Sequence, residues 1–517
     1  MAERARGQLG RAAAARFRGP ALLRARAWYA AALLRSSTGN RRGMATAARA
    51  GLRVLDEHRA TLGATDLRAH SAQYRVELAE LGLRTALSAR RPAAVLAWAE
   101  EGRASHLLMP PVYPSDDPDL AERLSELRMV VDEINDRRRS GQPTTLLDQR
   151  QLALEREIRD HRRRQPAARP GLPARPVQAG RLAEVAGDAV LVEFVLLDGE
   201  LHAVTVAGSR LWLDHLGPAA PVRDLIDRVP FALRRLAGRT SNASSKAAAE
   251  MLGHAVEHLD DLLLRPLSRR LADRPLVVIP TGPLQALPWS LLPSCAGRPV
   301  TVSPSATLWH AAASPDTGAG NGAGPPARDG HVLSVAGPGL PGARVEAEAV
   351  AGIHAAGALV GGQATAEAVL EGLDGARLAH LAAHGRLHAT NPLFSALHLA
   401  DGPLTIYDLE RLRRAPRLVV LAACDSGRPI VRAGDELLGL SATFLAHGSR
   451  TIVASVIPVP DAETTAPMIA LHRLLAAGHS AASALARVQQ SASDEALAAS
   501  AGFVCIGADT GIPLTPL

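Results

Sequence analysis

Two apolar stretches each run into a residue able to carry covalent chemistry. The segment ARLAHLAA (376–383) leads into His384-Gly385, and PRLVVLAA (416–423) leads into Cys424-Asp425-Ser426-Gly427. Such runs predict buried strands, and functional groups of an open α/β sheet gather at the carboxyl ends of its strands. If the two strands are parallel neighbours, imidazole and thiol emerge on one edge of the sheet. A thiol beside a base is the minimal arrangement for an activated nucleophile, because the thiolate is the reactive species. Gly385 lets backbone come close to a substrate, and the amides of Gly385 and Cys424 are the candidate donors to a developing oxyanion. A third run, SRTIVASVI (449–457), brings Asp461 toward the same edge. A carboxylate there would select a basic substrate side chain, and Asp425 is the second candidate for that role. Either acid also suits a helix cap, since Asp461 directly precedes a helical run.

Cys295 and Cys505 act as internal controls: neither follows a long apolar run into a glycine turn, so both are read as structural. His380, His388 and His398 are read as core or loop residues, with His380 four positions too early on its strand to share the edge with Cys424. The best rival motif is Gly337-Pro338-Gly339-Leu340-Pro341-Gly342, a literal GxGxxG after HVLSVA (331–336). Pro338 and Pro341 remove amide donors that should face a pyrophosphate, and Glu346 and Glu348 place negative charge in the following helix. Dinucleotide binding is therefore not expected. The chain has no HExxH or CxxC motif and no GK[ST] after its glycine-rich stretch, so neither a metal nor an organic cofactor is called for.

The elements that must position these residues fall into two parts. At 517 residues the chain is long enough for about two to four domains. With 47% hydrophobic and 21% charged residues it has ordinary globular usage, which excludes a disordered tail protein. Three cysteines cannot make a disulfide framework and point to a reducing, cytoplasmic setting. The N-terminus shows no apolar segment with a small-residue cleavage site, and no run is long enough to span a membrane, so neither leader nor membrane is expected. Residues 1–50 hold eleven arginines against the single acid Glu3, a balance of +10, leaving −3 for the rest of a chain of net charge +7. Lys246 is the only lysine. This pattern reads as composition bias on a solvated helical start, and a nucleic-acid arm is the less favoured reading.

Residues 1–165 carry helical periodicity throughout, with the texture of stacked, tetratricopeptide-like pairs, and end in two charged helices at 118–139 and 145–164 that predict an antiparallel hairpin. A proline-rich linker, 166–176, separates this region from 177–517. There, Ala189–Gly208 reads as a hairpin turning at Asp198-Gly199, followed by helices near 220–237 and 245–271. Apolar strands alternating with helices then predict an α/β domain with a largely parallel central sheet, interrupted by a flexible loop at 314–330.

The strings HLAAHG (380–385), LAACDSG (421–427), NPLFSALHLADGPLTIYDL (391–409), GDELLGLSATFLAHGSRTIVASVIPVPDAETT (434–465) and AGFVCIG (501–507) resemble the CHAT domain, a caspase- and separase-related cysteine protease fold usually found behind tetratricopeptide repeats. LVVIPTGPLQALPWSLLP (276–293) and LPGARVEAEAVA (340–351) look like its earlier blocks. The resemblance implies a caspase-like sheet and peptide-bond hydrolysis, with His384 as general base, Cys424 as nucleophile, and Gly385 and the Cys424 amide as oxyanion donors. It also implies a protein or peptide substrate, and control through a protein partner of the helical N-terminal region. Pro460 stands where this family commonly has a second acid, a departure that touches the substrate pocket and leaves the pair intact. The expectation is a cytoplasmic, bacterial cysteine endopeptidase; the alternative is a catalytically silent CHAT scaffold or interaction protein.

Overall fold

The computed structural model describes residues 2–70, 73–103, 107–109, 117–165, 175–237, 242–314, 330–388, 391–423, 430–432, 436–457, 461–491 and 499–509. The expected loop at 314–330 and the linker at 166–176 therefore lie largely outside the described residues.

Among the described residues every regular element up to Arg164 is helical. Helix Ala21–Ser37 packs on Arg41–Ala60, and Gln73–Ser88 packs on Pro92–Gly102. Asn40 starts the second of these by accepting the Gly43 N–H at 2.8 Å, a side-chain cap on an otherwise orphan donor. The last pair meets closely because Gly82 faces the Trp98 ring, where any Cβ would overlap the indole. The two charged helices span Pro118–Arg139 and Thr145–Arg164, as the sequence predicts. Asp117 caps the first by accepting the Leu120 N–H at 3.1 Å. Both helices end in clusters of arginines, where positive charge suits the negative end of the dipole.

Sixteen strands follow among the described residues. In chain order they are β1 (Val190–Leu197), β2 (Glu200–Ala207), β3 (Arg210–Pro218), β4 (Leu276–Ile279), β5 (Val300–Val302), β6 (Val332–Ala336), β7 (Ala358–Leu359) and β8 (Leu378–Ala382). The remainder are β9 (Gly385–Arg386), β10 (Ala396–Leu399), β11 (Gly402–Thr405), β12 (Leu418–Ala422), β13 (Ile430–Arg432), β14 (Glu436–Leu438), β15 (Thr451–Ser455) and β16 (Phe503–Gly507). Eleven of them form one sheet in the order β3-β2-β1-β4-β5-β16-β15-β12-β8-β6-β7. Its pairings are parallel except those of β2 with β1, β3 with β2 and β16 with β15. The predicted hairpin turns where expected, and Asp198 and Gly199 both adopt positive φ, 52° and 81°, the conformation of a tight primed turn. Unforeseen is β3, which extends the hairpin to a meander.

The near-continuous apolar run of β1 is explained by burial on both faces. Val190, Val192 and Phe194 join the core beneath helices Ala219–Ala237 and Asn242–Leu263. Leu191, Val195 and Leu197 face the other way and share a core with Ala25, Leu55 and Trp98 of the N-terminal helices. The helical region is thus one wall of the sheet. Buried polar groups bolt it down: Glu100 accepts the N–H groups of Ala306 and Thr307 at 2.9 and 2.8 Å, and Arg103 donates to the Phe194 carbonyl at 2.6 Å. The charged hairpin is held against β11 and the short helix after it, with Arg128 on Asp408 at 3.0 Å and Arg162 on Glu410 at 3.1 Å. Its apolar face, including Leu124, Leu127 and Ile158, enters the main core.

Candidate active site

Strands β8 and β12 are parallel neighbours in register: Leu421 lies opposite Leu381, and Ala422 opposite Ala382. His384 follows the end of β8 by two residues and is exposed, unlike the buried strand that carries it. Its own carbonyl accepts the His398 N–H at 2.9 Å, so β10 anchors the backbone at the imidazole. Gly385 opens β9 opposite Leu397. On the partner strand the described chain reaches Ala423, which is buried. Cys424 and Asp425 follow it outside the described residues. Asp461 is the first residue of helix Asp461–Ala476, the position its alternative reading as a helix start predicts, and its side chain lies outside the described residues. The strand that leads to it, β15, flanks β12 on the side away from β8.

The glycine-rich loop rejected as a dinucleotide fingerprint packs against His384. Gly337 donates its N–H to the Ala382 carbonyl at 2.8 Å. A Cβ on Gly337 would run into the His398 carbonyl oxygen at 2.6 Å and the Ala383 methyl at 2.8 Å. Gly339, at φ +77°, passes beside the imidazole. These glycines allow close approach of backbone to backbone, and the sequence signal for this role was the same GxGxxG spacing.

Of the other histidines, His398 is half-buried and joins His384 in lining a cavity of about 190 Å³. Burial lowers its pKa, with His384 and Arg139 adding to the shift and Asp132 opposing it. His388 lines the same cavity, and across from it stand Leu127, Val131 and Glu155 of the charged hairpin. The sequence analysis names no site residue on that hairpin, because its residues at the cavity come from a distant part of the chain. His380 is buried. Its Nδ1 lies 3.1 Å from His472 Nε2, whose Nδ1 lies 3.0 Å from His354 Nε2, and its own Nε2 stands 3.1 Å from Glu346.

Both control cysteines are buried, as the sequence reading expects. Desolvation pushes the Cys295 thiol up to about 12 and raises Cys505 well above its ordinary value. Among the described residues no group of three or more histidine, cysteine or carboxylate side chains is arranged to hold a metal ion. None of their helices is long and apolar enough to cross a membrane.

A helical region followed by an α/β domain, with a histidine-ended strand beside the strand that runs into Cys424, defines the structural class. Residues 253–508 match the family model of the CHAT domain, and the protein carries a CHAT domain over that span. No curated protein matches the sequence. Among solved structures the chain is similar to two crystal structures of the Saccharomyces cerevisiae separase–securin complex, at 9% identity and TM-scores of 0.45 and 0.46. In each, the match covers 91% of this chain and 38% of the other, so the chain spans well under half the length of that relative.

Proposed function

We propose that the protein is a cysteine endopeptidase of the caspase/separase type, with Cys424 as nucleophile and His384 as general base. One observation carries the reading: β8 and β12 are adjacent, parallel and in register, and each ends two residues before its member of the pair. In this mechanism the Cys424 thiolate attacks the peptide carbonyl, and the amides of Gly385 and Cys424 receive the developing oxyanion. His384, now an imidazolium, gives its proton to the leaving amine. Water, deprotonated by His384, then hydrolyses the thioester and returns the free thiol. Asp425 and Asp461 are the proposed carboxylates beside the scissile residue.

The helical N-terminal region is proposed as the regulatory part that meets a protein partner. Its shared core with β1, β2 and β4 supports transmission of a binding event into the sheet. The protein is proposed to act in the cytoplasm.

The test is mass-resolved labelling by a peptide carrying a cysteine-reactive warhead, together with cleavage of a peptide library. Wild type should label once, at Cys424, and cleave; Cys424→Ala should do neither, and His384→Ala should label and cleave at least about a hundredfold more slowly. Full cleavage by Cys424→Ala would overturn the assignment. Equal labelling of wild type and His384→Ala, without cleavage, would favour a silent scaffold.

A further inference from the structure

We infer that one end of the first helical pair, residues 11–24, is a docking surface for a membrane face rich in anionic phospholipid. Arg11, Arg16, Arg18 and Arg24 meet the lipid phosphates, and Phe17 and Leu23 enter the interface beneath them. The contact is peripheral, needs no spanning helix, and is independent of the endopeptidase reading.

Helix Ala2–Ala14 packs on helix Ala21–Ser37, and the short turn between them gathers residues 11–24 at one end of the pair. The segment contains four arginines and no acid. Among the described residues none of the four makes an ion pair. An arginine-rich composition does not by itself produce this arrangement: in the charged hairpin Arg123, Arg137, Arg138 and Arg150 each face a carboxylate. Helix Ala21–Ser37 also begins here with no acid in its first turn, so its positive end adds to the same field. Arginine forks match phosphate oxygens, and such a concentration of unopposed charge calls for an anionic surface.

The apolar side chains decide which surface. Phe17 is 67% exposed and Leu23 58%. Single exposed apolar residues are ordinary, but these two share one turn with the four arginines. Phe17 is also held in place: its ring meets Trp28 edge-on with centroids 5.3 Å apart, and the Arg16 guanidinium lies over it at 4.6 Å. A cation already on the ring leaves a poor platform for stacking nucleic-acid bases. Bulky apolar groups set among arginines suit the boundary between headgroups and acyl chains, and cytoplasmic leaflets carry anionic lipid. The helices bearing this surface wall β1, β2 and β4. His384 follows β8, six strands from β1 in the sheet order, or about 29 Å at the usual strand spacing, so docking is remote from the candidate active site.

The test is co-sedimentation of the full chain with vesicles of phosphatidylcholine alone and of equal parts phosphatidylcholine and phosphatidylglycerol. Binding to the anionic vesicles should be at least about tenfold tighter and should weaken as salt rises. Arg11→Gln with Arg18→Gln should lose about tenfold of that affinity, whereas Arg137→Gln with Arg138→Gln, which removes the same charge from the hairpin, should keep it. Phe17→Ser with Leu23→Ser leaves the charge unchanged and should also weaken binding about tenfold. Both docking variants alter exposed side chains, and an unchanged thermal midpoint separates lost docking from lost fold. Equal binding to the two kinds of vesicle, no binding at low salt, or an equal loss from the hairpin variant would overturn the surface. Retention of duplex DNA or single-stranded RNA through the same arginines, without vesicle binding, would overturn it too and assign the arginines to nucleic acid.

Discussion

Gly339 stands against the edge of the His384 ring: a Cβ added to it would lie 3.6 Å from Nε2 and 3.8 Å from Cδ2. The nitrogen concerned is the one that faces the loop after β6, so that loop limits where the imidazole can swing. A Cβ at those distances would make an ordinary contact, so the backbone φ of +77°, not the ring, is what calls for glycine here.

Gly339→Ala should cost about 1–2 kcal/mol in stability through its positive φ and should also slow the labelling of Cys424. A denaturation curve and the labelling rate separate the two effects. Unchanged labelling in a destabilised variant would mean that the methyl leaves His384 undisturbed.

The chain His354–His472–His380, of which His472 and His380 are buried, should make the fold acid-sensitive. Burial depresses His354 to about 4 and His472 well below 6.5. Arg377 and His380 add to the first shift, and His380 and His354 to the second. Since both folded values lie under the unfolded one, the unfolded chain binds more protons as pH falls below 6.5. The stability held at neutral pH should therefore decline between pH 6.5 and about 4. The urea midpoint of the wild type should fall over this window, and that of His472→Met should fall less. Parallel curves for the two proteins would show that the triad is not the source.

Arg162 and Glu410 form a buried pair, with side chains 2% and 4% exposed, and Thr65 donates to the same carboxylate at 2.5 Å. Arg162→Met should cost about 3–5 kcal/mol, because it strands a buried charge. Adding Glu410→Gln should recover part of that loss. Strictly additive losses in a double-mutant cycle would show that the two side chains do not interact.

Cys295 and Cys505 should resist alkylation in the native protein from pH 7 to 8, since burial holds both thiols protonated. Native labelling followed by peptide mapping should find the reagent on Cys424 alone. Modification of either buried cysteine at a comparable rate would contradict the packing around it.

Gly82→Ala should destabilise the N-terminal helices by about 1–3 kcal/mol through overpacking against Trp98. A drop in thermal midpoint checks this, and no change would mean that the indole can move aside.

Much of the architecture was legible because it is written in local periodicity. The boundaries of the charged helices, the turn at Asp198-Gly199, and the strands leading to His384 and Cys424 all follow from residue patterns within a window of a few turns or a single strand. Elements shorter than such a window escaped. Three residues in β5 cannot display a period, and β9–β11 appeared only as part of a motif string. Strand direction escaped too: nothing in FVCIG says that β16 runs against β15.

By itself the sequence determined which residues are able to react and which strands deliver them, because chain connectivity places His384 and Cys424 at the ends of apolar runs. Only the tertiary structure decided that those strands are neighbours in register, since pairing between distant segments is set by the packing of the whole sheet. It alone brought Glu155 across to His388 and Gly339 to His384. On an isolated helix Glu155 is one more surface charge. It becomes a buried carboxylate only when Leu127, Leu154 and Ile158 carry the hairpin into the core and water is excluded from the space between.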